Sequence, residues 1–109
     1  MKVFITGATG LFGREMTARL LESGYQVSAL CRNPASDRVR NFPCSADVEW
    51  IEGDIGDLLV LQNAIQEADF VIHAAALVSF DPRDRKKLYH TNVEGTSNMV
   101  NVSLLSENL

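Results

Sequence analysis

Three evenly spaced glycines are the residues of this sequence whose chemistry is easiest to interpret. Gly7, Gly10 and Gly13 lie in the stretch TGATGLFG, between a short apolar run and a segment with helical periodicity. A first glycine permits a tight turn after a strand, a second lets the backbone approach a pyrophosphate, and a third lets helix and strand pack closely. The free N–H groups of a helix start favour phosphate oxygens. The predicted phosphate-binding residues are Gly7, Thr9, Gly10, Leu11, Phe12 and Gly13.

The same stretch has three alternative interpretations, and the residues present exclude two of them. A P-loop needs four residues between its glycines and then Lys with Ser or Thr, whereas five residues separate Gly7 from Gly13 and Arg14-Glu15 follow. A phosphoreceiver domain would carry an acidic pair at the end of the first strand, where Thr6 and Gly7 stand. The third alternative is a glycine-rich turn with no ligand, and the strand before it and helix after it favour nucleotide binding instead.

The end of the second apolar run bears on the choice of nucleotide. An NAD site of this type usually has Asp or Glu about 20 residues after the glycine turn, where it binds the ribose hydroxyls. Here Cys31 and Arg32 stand at that place. A guanidinium can hold the oxygens of a 2′-phosphate in two places. Arg32 therefore favours NADP(H), with Arg14 and Arg38 as weaker helpers, while NAD(H) stays open and a solvated loop charge is the alternative.

Alternating strands and helices would position these residues. Short apolar runs predict buried strands at residues 3–5, 26–31, 48–51 and 70–72. A first helix is predicted over residues 11–23, with Phe12, Met16 and Leu20 as its apolar stripe and Gly24 as its stop. Strands that alternate with helices predict the α/β class, with a parallel sheet and right-handed crossovers.

Two further helices are predicted, with a polar connection between the second and third strands. Residues 58–68 carry apolar positions at helical spacing after Asp57, a residue type that caps helix starts. Asp81-Pro82 is a second start signal, and helical character runs from there to about residue 105. Residues 34–46 form a polar connection with room for one loose helical turn.

Composition and charge limit the classes of function. The chain has 109 residues, of which 46% are apolar, with 10 basic and 14 acidic residues and a formal net charge of −4. These values are typical of one globular domain and provide no electrostatic attraction to nucleic acid or an anionic membrane. Cys31 and Cys44 lack metal-ligand spacing, and the apolar stretches are too short for a signal peptide core or a membrane span. We expect no metal, no nucleic-acid or membrane partner, and a cytoplasmic location.

Four stretches in order resemble the extended and atypical branches of the short-chain dehydrogenase/reductase superfamily, the NAD(P)-dependent epimerase/dehydratase group. They are TGATGLFG at residues 6–13, GDI at 53–55, VIHAAA at 71–76 and NVEGT at 92–96. The resemblance covers the whole chain. It implies a Rossmann-type, doubly wound parallel sheet of strand order 3-2-1-4, which is incomplete because the fifth and later strands are absent.

The resemblance also implies roles for residues outside the glycine turn. It places Asp54 and Ile55 beside the adenine, and it makes the backbone of Ala74, Ala75 and Ala76 the cofactor wall. It makes Asn92 a candidate for holding a water relay or an irregular helix turn. From the residues alone, Asp54 could instead cap a turn, and Asn92 could solvate its helix from outside.

The residues for the chemistry of this family are not all present. The family uses a tyrosine with a lysine four residues later, but Ala29 stands four residues after Tyr25 and Val93 four after Tyr89. We therefore expect no catalytic residue in this chain beyond the candidate relay. We interpret residues 1–109 as the N-terminal NAD(P)-binding domain of a longer protein. An uncovered fourth strand at the sheet edge favours the same interpretation.

The parent protein is expected to transfer hydride between NADP(H) and a carbinol or ketone carbon of a small-molecule substrate. Dihydroflavonol-reductase-like and nucleotide-sugar-epimerase-like activities are both open. One alternative is a non-catalytic NADP(H)-sensing module of the atypical branch, and another is a structural subunit that binds no ligand. The family commonly dimerises through long helices, so the helix over 83–105 is expected to form a homodimer interface with Leu88, Met99 and Leu104 as contacts.

Overall fold

The molecule is built on one sheet of parallel strands. In the computed structural model, which describes residues 1–75 and 81–105, the strands are β1 (Lys2–Thr6), β2 (Gln26–Cys31), β3 (Val48–Glu52) and β4 (Phe70–His73). Their order is β3-β2-β1-β4. Val3 of β1 pairs with Val27 of β2 and with Phe70 of β4, and Val27 pairs with Val48 of β3. The predicted α/β class and the strand order 3-2-1-4 are confirmed.

Helices cover both faces of this sheet. They are α1 (Leu11–Glu22), α2 (Asp37–Arg40), α3 (Leu58–Gln66), α4 (Arg85–Leu88) and α5 (Gly95–Leu104). Short 3₁₀ turns form at Ser45–Asp47 and Pro82–Asp84, and a π-helical segment forms at Tyr89–Glu94. The predicted polar connection therefore contains α2 and one 3₁₀ turn.

The apolar core lies on the two faces of β1. Val3, Phe4 and Ile5 are all buried, as expected for a central strand of a parallel sheet that is covered on both sides. On one face, Phe4 packs in a cluster that includes Leu61 of α3. On the other face, Ile5 packs in a cluster that includes Val27, with Met16 and Leu20 of α1 packed against it.

Helix α1 packs on the sheet with Met16 and Leu20 of its predicted apolar stripe, but Phe12 at its start lies outside the contact. Phe12 was expected in the buried stripe, but its side chain is 61% exposed. The fully buried residues of α1 are Gly13 and Thr17, and the Thr17 hydroxyl donates a hydrogen bond of 2.7 Å to the Gly13 carbonyl. The helix packs closest at Gly13 and Thr17, which carry small side chains, and a pattern of large apolar residues does not indicate these two positions.

Asp57 stands at the predicted N-cap position of α3, but its side chain does not bind the N–H groups of the helix start. Asp57 precedes the helix, yet its side chain makes no hydrogen bond to the first turn of α3. The Asp57 carboxylate instead accepts a hydrogen bond of 2.9 Å from the backbone N–H of Asp54. It therefore shapes the loop after β3 and does not satisfy the helix start.

The last helical region begins as predicted but is not one regular helix. The Asp81 carboxylate accepts from the Arg83 N–H, and Pro82 follows at the first helical position. In the π-helical segment, the Gly95 N–H bonds to the His90 carbonyl five residues earlier. Met99 was expected at an interface, but it is 2% exposed and belongs to the core cluster on the α3 side of the sheet. Leu104, at the end of α5, is exposed.

Candidate nucleotide-binding site

A cleft of about 370 Å³ opens at the carboxyl ends of the strands, where the neighbouring strands β1 and β4 both end. It is lined by Thr6, Gly7, Thr9, Gly10, Leu30, Cys31, Arg32, Asn33, Ser36, Arg38, Val39, Gly53, Asp54, Ile55, Ala74, Ala75 and Thr91. The structure thus brings together eight of the predicted site residues: Gly7, Thr9, Gly10, Arg32, Asp54, Ile55, Ala74 and Ala75. Ala76 lies outside the described residues.

Glycine stands at positions 7, 10 and 13 for a different structural reason at each position. Gly7 has φ +77°, and a Cβ there would lie 2.6 Å from the Ala74 carbonyl carbon. A Cβ at Gly13 would lie 1.9 Å from the Gly7 carbonyl oxygen, so only glycine allows α1 to approach the turn this closely. A Cβ at Gly10 would meet only the Gly7 oxygen, at 3.4 Å. Gly10 therefore has no packing reason to lack a side chain, and it borders the open cleft.

The start of α1 presents free hydrogen-bond donors. Arg14 N–H bonds to the Gly10 carbonyl at 2.9 Å, which is the first bond of the helix. The N–H groups of Leu11, Phe12 and Gly13 have no acceptor among the described residues. Such groups attract anions because they are unsatisfied and lie at the positive end of the helix dipole. Leu11, Phe12 and Gly13 do not themselves line the cleft, and their N–H groups follow directly after Gly10, which does.

Two guanidinium groups, of Arg32 and Arg38, border the cleft at the end of β2. Neither has an ion-pair or hydrogen-bond partner among the described residues. The loop between them is shaped by Asn33, whose side-chain oxygen accepts from the Ala35 N–H at 3.0 Å. Two cations without acidic partners form a site that suits an anion. Arg14, the other weak helper, does not line the cleft.

The loop after β3 brings Asp54 to the cleft wall. Its Oδ2 accepts from the Gly56 N–H at 3.0 Å and lies 2.8 Å from Nε2 of His90. The hydrogen bond from His90 lowers the pKa of the Asp54 carboxyl. The turn role that the sequence left open for Asp54 is therefore present. Ile55 borders the cleft but is 5% exposed and packs in the core, so little of its side chain is offered to a ligand.

The end of β4 is tied to the end of β1 by backbone and side-chain hydrogen bonds. The Ala74 N–H bonds to the Thr6 carbonyl at 3.0 Å, which holds the segment that carries Ala74 and Ala75 against the glycine turn. The Thr6 hydroxyl lies 2.6 Å from Nδ1 of His73. His73 Nε2 lies 3.1 Å from the Thr96 hydroxyl, and burial lowers the pKa of His73. His73 thus has both ring nitrogens engaged by threonines and sits behind the cleft as a link between elements.

Three residues that line the cleft, Cys31, Gly53 and Thr91, are not among the predicted site residues. Cys31 and Gly53 stand at strand ends, where parallel sheets bind ligands, so their positions were available from the predicted strands. Thr91 reaches the cleft from the π-helical segment, and nothing local to its sequence indicates this. Asn92 lies in the same segment, which agrees with an irregular helix turn, but it does not line the cleft.

Residues 1–75 and 81–105 contain neither a metal-binding cluster nor a membrane-spanning helix. No group of three or more His, Cys, Asp and Glu side chains there is arranged to hold a metal ion. No helix in these ranges is both long enough and apolar enough to cross a membrane. Cys31 and Cys44 are free thiols.

These observations define the class of fold. A glycine turn between β1 and α1, free helix N–H groups and a cleft at the strand ends form the first half of a dinucleotide-binding Rossmann fold. The chain belongs to the NAD dependent epimerase/dehydratase family, whose family model matches residues 3–107. The predicted family is confirmed.

Similar proteins include oxidoreductases. A protein of Synechocystis sp., provisionally named dihydroflavonol 4-reductase, is 39% identical over 98 residues, which are 89% of this chain and 27% of that protein. The sterol-4-alpha-carboxylate 3-dehydrogenase (decarboxylating) of Dictyostelium discoideum is 31% identical, over 92% of this chain and 30% of its own. The crystal structure of the Bordetella bronchiseptica enzyme WbmH with NAD⁺ matches 94% of this chain and 34% of its own, with a TM-score of 0.77 and 32% identity. The chain thus spans less than a third of these two curated relatives.

Proposed function

We propose that this chain binds NADP(H) and is the cofactor-binding part of an enzyme that transfers hydride to or from a carbinol or ketone carbon. The observation that carries the proposal is the cleft, where a glycine turn with free N–H groups and two unpaired guanidiniums meet. Phosphate oxygens are the ligands that both kinds of donor prefer. The residue types fit the cofactor, because Gly10 leaves open the space that a side chain would fill beside the turn.

The groups of this chain would hold the cofactor at successive places along the cleft. The backbone at Gly7, Thr9, Gly10 and the N–H groups of residues 11–13 would bind the pyrophosphate, and Arg32 with Arg38 would bind the 2′-phosphate. Asp54 and the edge of Ile55 would border the adenine. Ala74 and Ala75 would border the ribose on the nicotinamide side, where small side chains leave room. The bound cofactor supplies or accepts the hydride.

The reaction itself needs groups that this chain does not contain. The sequence has no tyrosine followed four residues later by lysine, so the proton donor of the substrate oxygen would come from elsewhere in the whole protein. A reductase of flavonol-like or sterol-like ketones fits the proposal, since the names of the relatives include a reductase and a sterol dehydrogenase. A nucleotide-sugar epimerase fits it too, since the matching family model is that of epimerases and dehydratases. We expect the 109-residue chain to bind NADPH without turning over a substrate. The cytoplasm is the proposed location.

A homodimer through residues 83–105 is part of the proposal. Exposed apolar side chains on this region are Tyr89, Val93, Val100, Leu104 and Leu105. With Met99 buried in the core, these residues and half-buried Leu88 would supply the contacts. Sedimentation velocity at increasing protein concentration measures this, and a monomer throughout would contradict it.

Calorimetric titration with NADPH and with NADH tests the cofactor proposal. We expect NADPH to bind more tightly. Arg32→Ala should weaken NADPH about 10- to 100-fold, the loss of one charge-assisted contact to phosphate, and should leave NADH within about threefold. Arg40→Ala is the matched control, because Arg40 is exposed on the same connection and does not line the cleft.

The same titrations can refute each part of the assignment. If Arg32→Ala weakened NADPH and NADH equally, the 2′-phosphate role would be wrong. Gly10→Val should abolish binding of both nucleotides, since its side chain would occupy the phosphate approach. A folded wild-type chain that binds neither nucleotide would refute the cofactor site itself.

A further inference from the structure

His90 joins the last helical region to the loop after β3, at the place where that loop borders the cleft. Its Nε2 lies 2.8 Å from Asp54 Oδ2, and its Nδ1 lies 3.2 Å from Glu94 Oε2. The imidazole therefore lies between two carboxylates, one from the loop and one from its own helical segment. Only one of them, Asp54, lines the cleft.

This contact is built by residues that allow a close approach. A Cβ at Gly56 would lie 2.9 Å from Cε1 of His90, and a Cβ at Gly95 would lie 2.7 Å from Cγ1 of Ile55. The Asn98 amide adds a hydrogen bond of 3.2 Å to the Ile55 carbonyl. His90 and Gly95 are the two ends of the π-helical hydrogen bond. Such π-helical segments change the direction in which side chains project, and they are frequent at functional sites.

Asp54 would border the uncharged adenine, but its negative charge is unfavourable for the phosphates of the ligand proposed here. It is the only acidic side chain among the described residues that line the cleft, where Arg32 and Arg38 supply positive charge. A dinucleotide is an anion, so an uncompensated carboxylate at the cleft wall would repel it. Protonated His90 would compensate that charge directly.

We propose that His90 is a positioning residue for nucleotide binding: its protonated ring holds the Asp54 carboxylate against the loop and neutralises it, so that affinity for an anionic dinucleotide depends on the charge of His90. This inference rests on the proposed function. His90 itself does not line the cleft and acts through Asp54.

The electrostatic surroundings of His90 agree with this role. The hydrogen bonds to Asp54 and Glu94 raise the pKa of His90 above its ordinary value. The other carboxylate of the loop, on Asp57, is occupied by the backbone N–H of Asp54. Lys86 and Lys87, on α4 just before the π-helical segment, form no ion pair with the described residues.

Linkage gives the sign of the pH effect. A ligand that binds better to the protonated form raises the pKa of His90, and its affinity falls as the pH rises through that pKa. A rise of the pKa by about half a unit on binding corresponds to about a threefold difference in affinity between the two forms.

The experiment is a calorimetric titration with NADH between about pH 6.5 and 8.5, the range in which histidine changes charge. NADH is the probe because it lacks the 2′-phosphate, which itself titrates near this range. Wild-type affinity should fall about threefold with rising pH. His90→Gln, whose amide can still donate to Asp54, should give a nearly flat profile. Glu94→Gln should lower the pKa of His90 and move the fall to lower pH.

The outcomes separate the two proposals. If His90→Gln binds NADH with the same pH profile as the wild type, the role of His90 is refuted while the cofactor site stands. If no protein binds NADH or NADPH at any pH, the proposed function fails. If His90→Gln does not fold, the Glu94→Gln variant still tests the inference. NADH affinity that falls at the same pH in Glu94→Gln as in the wild type would refute it.

Discussion

Adding one methyl group at Gly13 would test directly how the glycine turn holds α1 against the sheet. The new Cβ would lie 1.9 Å from the Gly7 carbonyl oxygen, 2.7 Å from the Gly7 carbonyl carbon and 2.9 Å from the Ala8 Cα. All three atoms are backbone, so no side chain can rotate away. The helix start and the turn would have to separate, and this also disturbs the buried Thr17 bond to the Gly13 carbonyl.

The expected cost follows from two opposing effects. Overpacking of this severity costs about 3 kcal/mol, the upper end of the usual range, while alanine in place of glycine in a helix recovers at most about 1 kcal/mol. The net loss for Gly13→Ala is about 2 kcal/mol, which for a domain of this size lowers Tm by about 10 °C.

Urea denaturation followed by circular dichroism measures this loss, with Gly10→Ala as the matched control. A Cβ at Gly10 has its nearest neighbour at 3.4 Å, so the free energy of unfolding should change by less than about 0.5 kcal/mol. The Gly10→Ala variant should lose affinity for NADPH while remaining folded. A Gly13→Ala variant as stable as the wild type would refute the close-packing reasoning, because the clash would then have been absorbed without cost.

Two further predictions concern residues whose surroundings the structure defines. Met99→Ala should destabilise the fold by about 2–5 kcal/mol, since Met99 is buried in the core, whereas exposed Leu104→Ala should cost little; equal urea midpoints would contradict this assignment. The sequence has two histidines, and NMR titration should show His90 titrating above and His73 below the ordinary histidine pKa. Because burial lowers the pKa of His73, the unfolded chain binds a proton there first on acidification. Stability from His73 is therefore lost as the pH falls below its unfolded pKa, and His73→Asn should reduce that loss; a reversed order of the two titrations would refute these environments.

The sheet and the glycine turn were predictable because each leaves a local signature. Buried parallel strands read as short apolar runs, and a turn that needs φ +77° at Gly7 requires glycine at that position. The strand order has no local signature, and it was implied by the resemblance to a family with this doubly wound sheet. Arg32 could be placed in the cleft because residues that follow parallel strands meet at one edge of the sheet, whereas the place of Asp54 was implied by the resemblance.

The predictions that failed have a common physical cause. Phe12 and Met99 are apolar residues on helices, and periodicity alone does not say which apolar face meets the sheet and which meets solvent. Asp57 is a residue type that caps helices, but its carboxylate accepts a hydrogen bond from the Asp54 N–H and none from the first turn of α3. In each case the residue lies in the predicted element, but the group that it contacts differs from the prediction. That contact depends on packing between segments that are distant in the sequence.

By itself, the sequence determined the order of strands and helices, the position of the glycine turn and the absence of a carboxylate at the end of β2, because each depends on residues adjacent in the chain. Only the tertiary structure decided that Asp54 is bound by His90, 36 residues away, and that Thr91 reaches the cleft. Those contacts exist because the π-helical segment and two glycines, Gly56 and Gly95, bring a helix against a loop. Such an approach depends on backbone geometry in three dimensions, which no local pattern of residue types encodes.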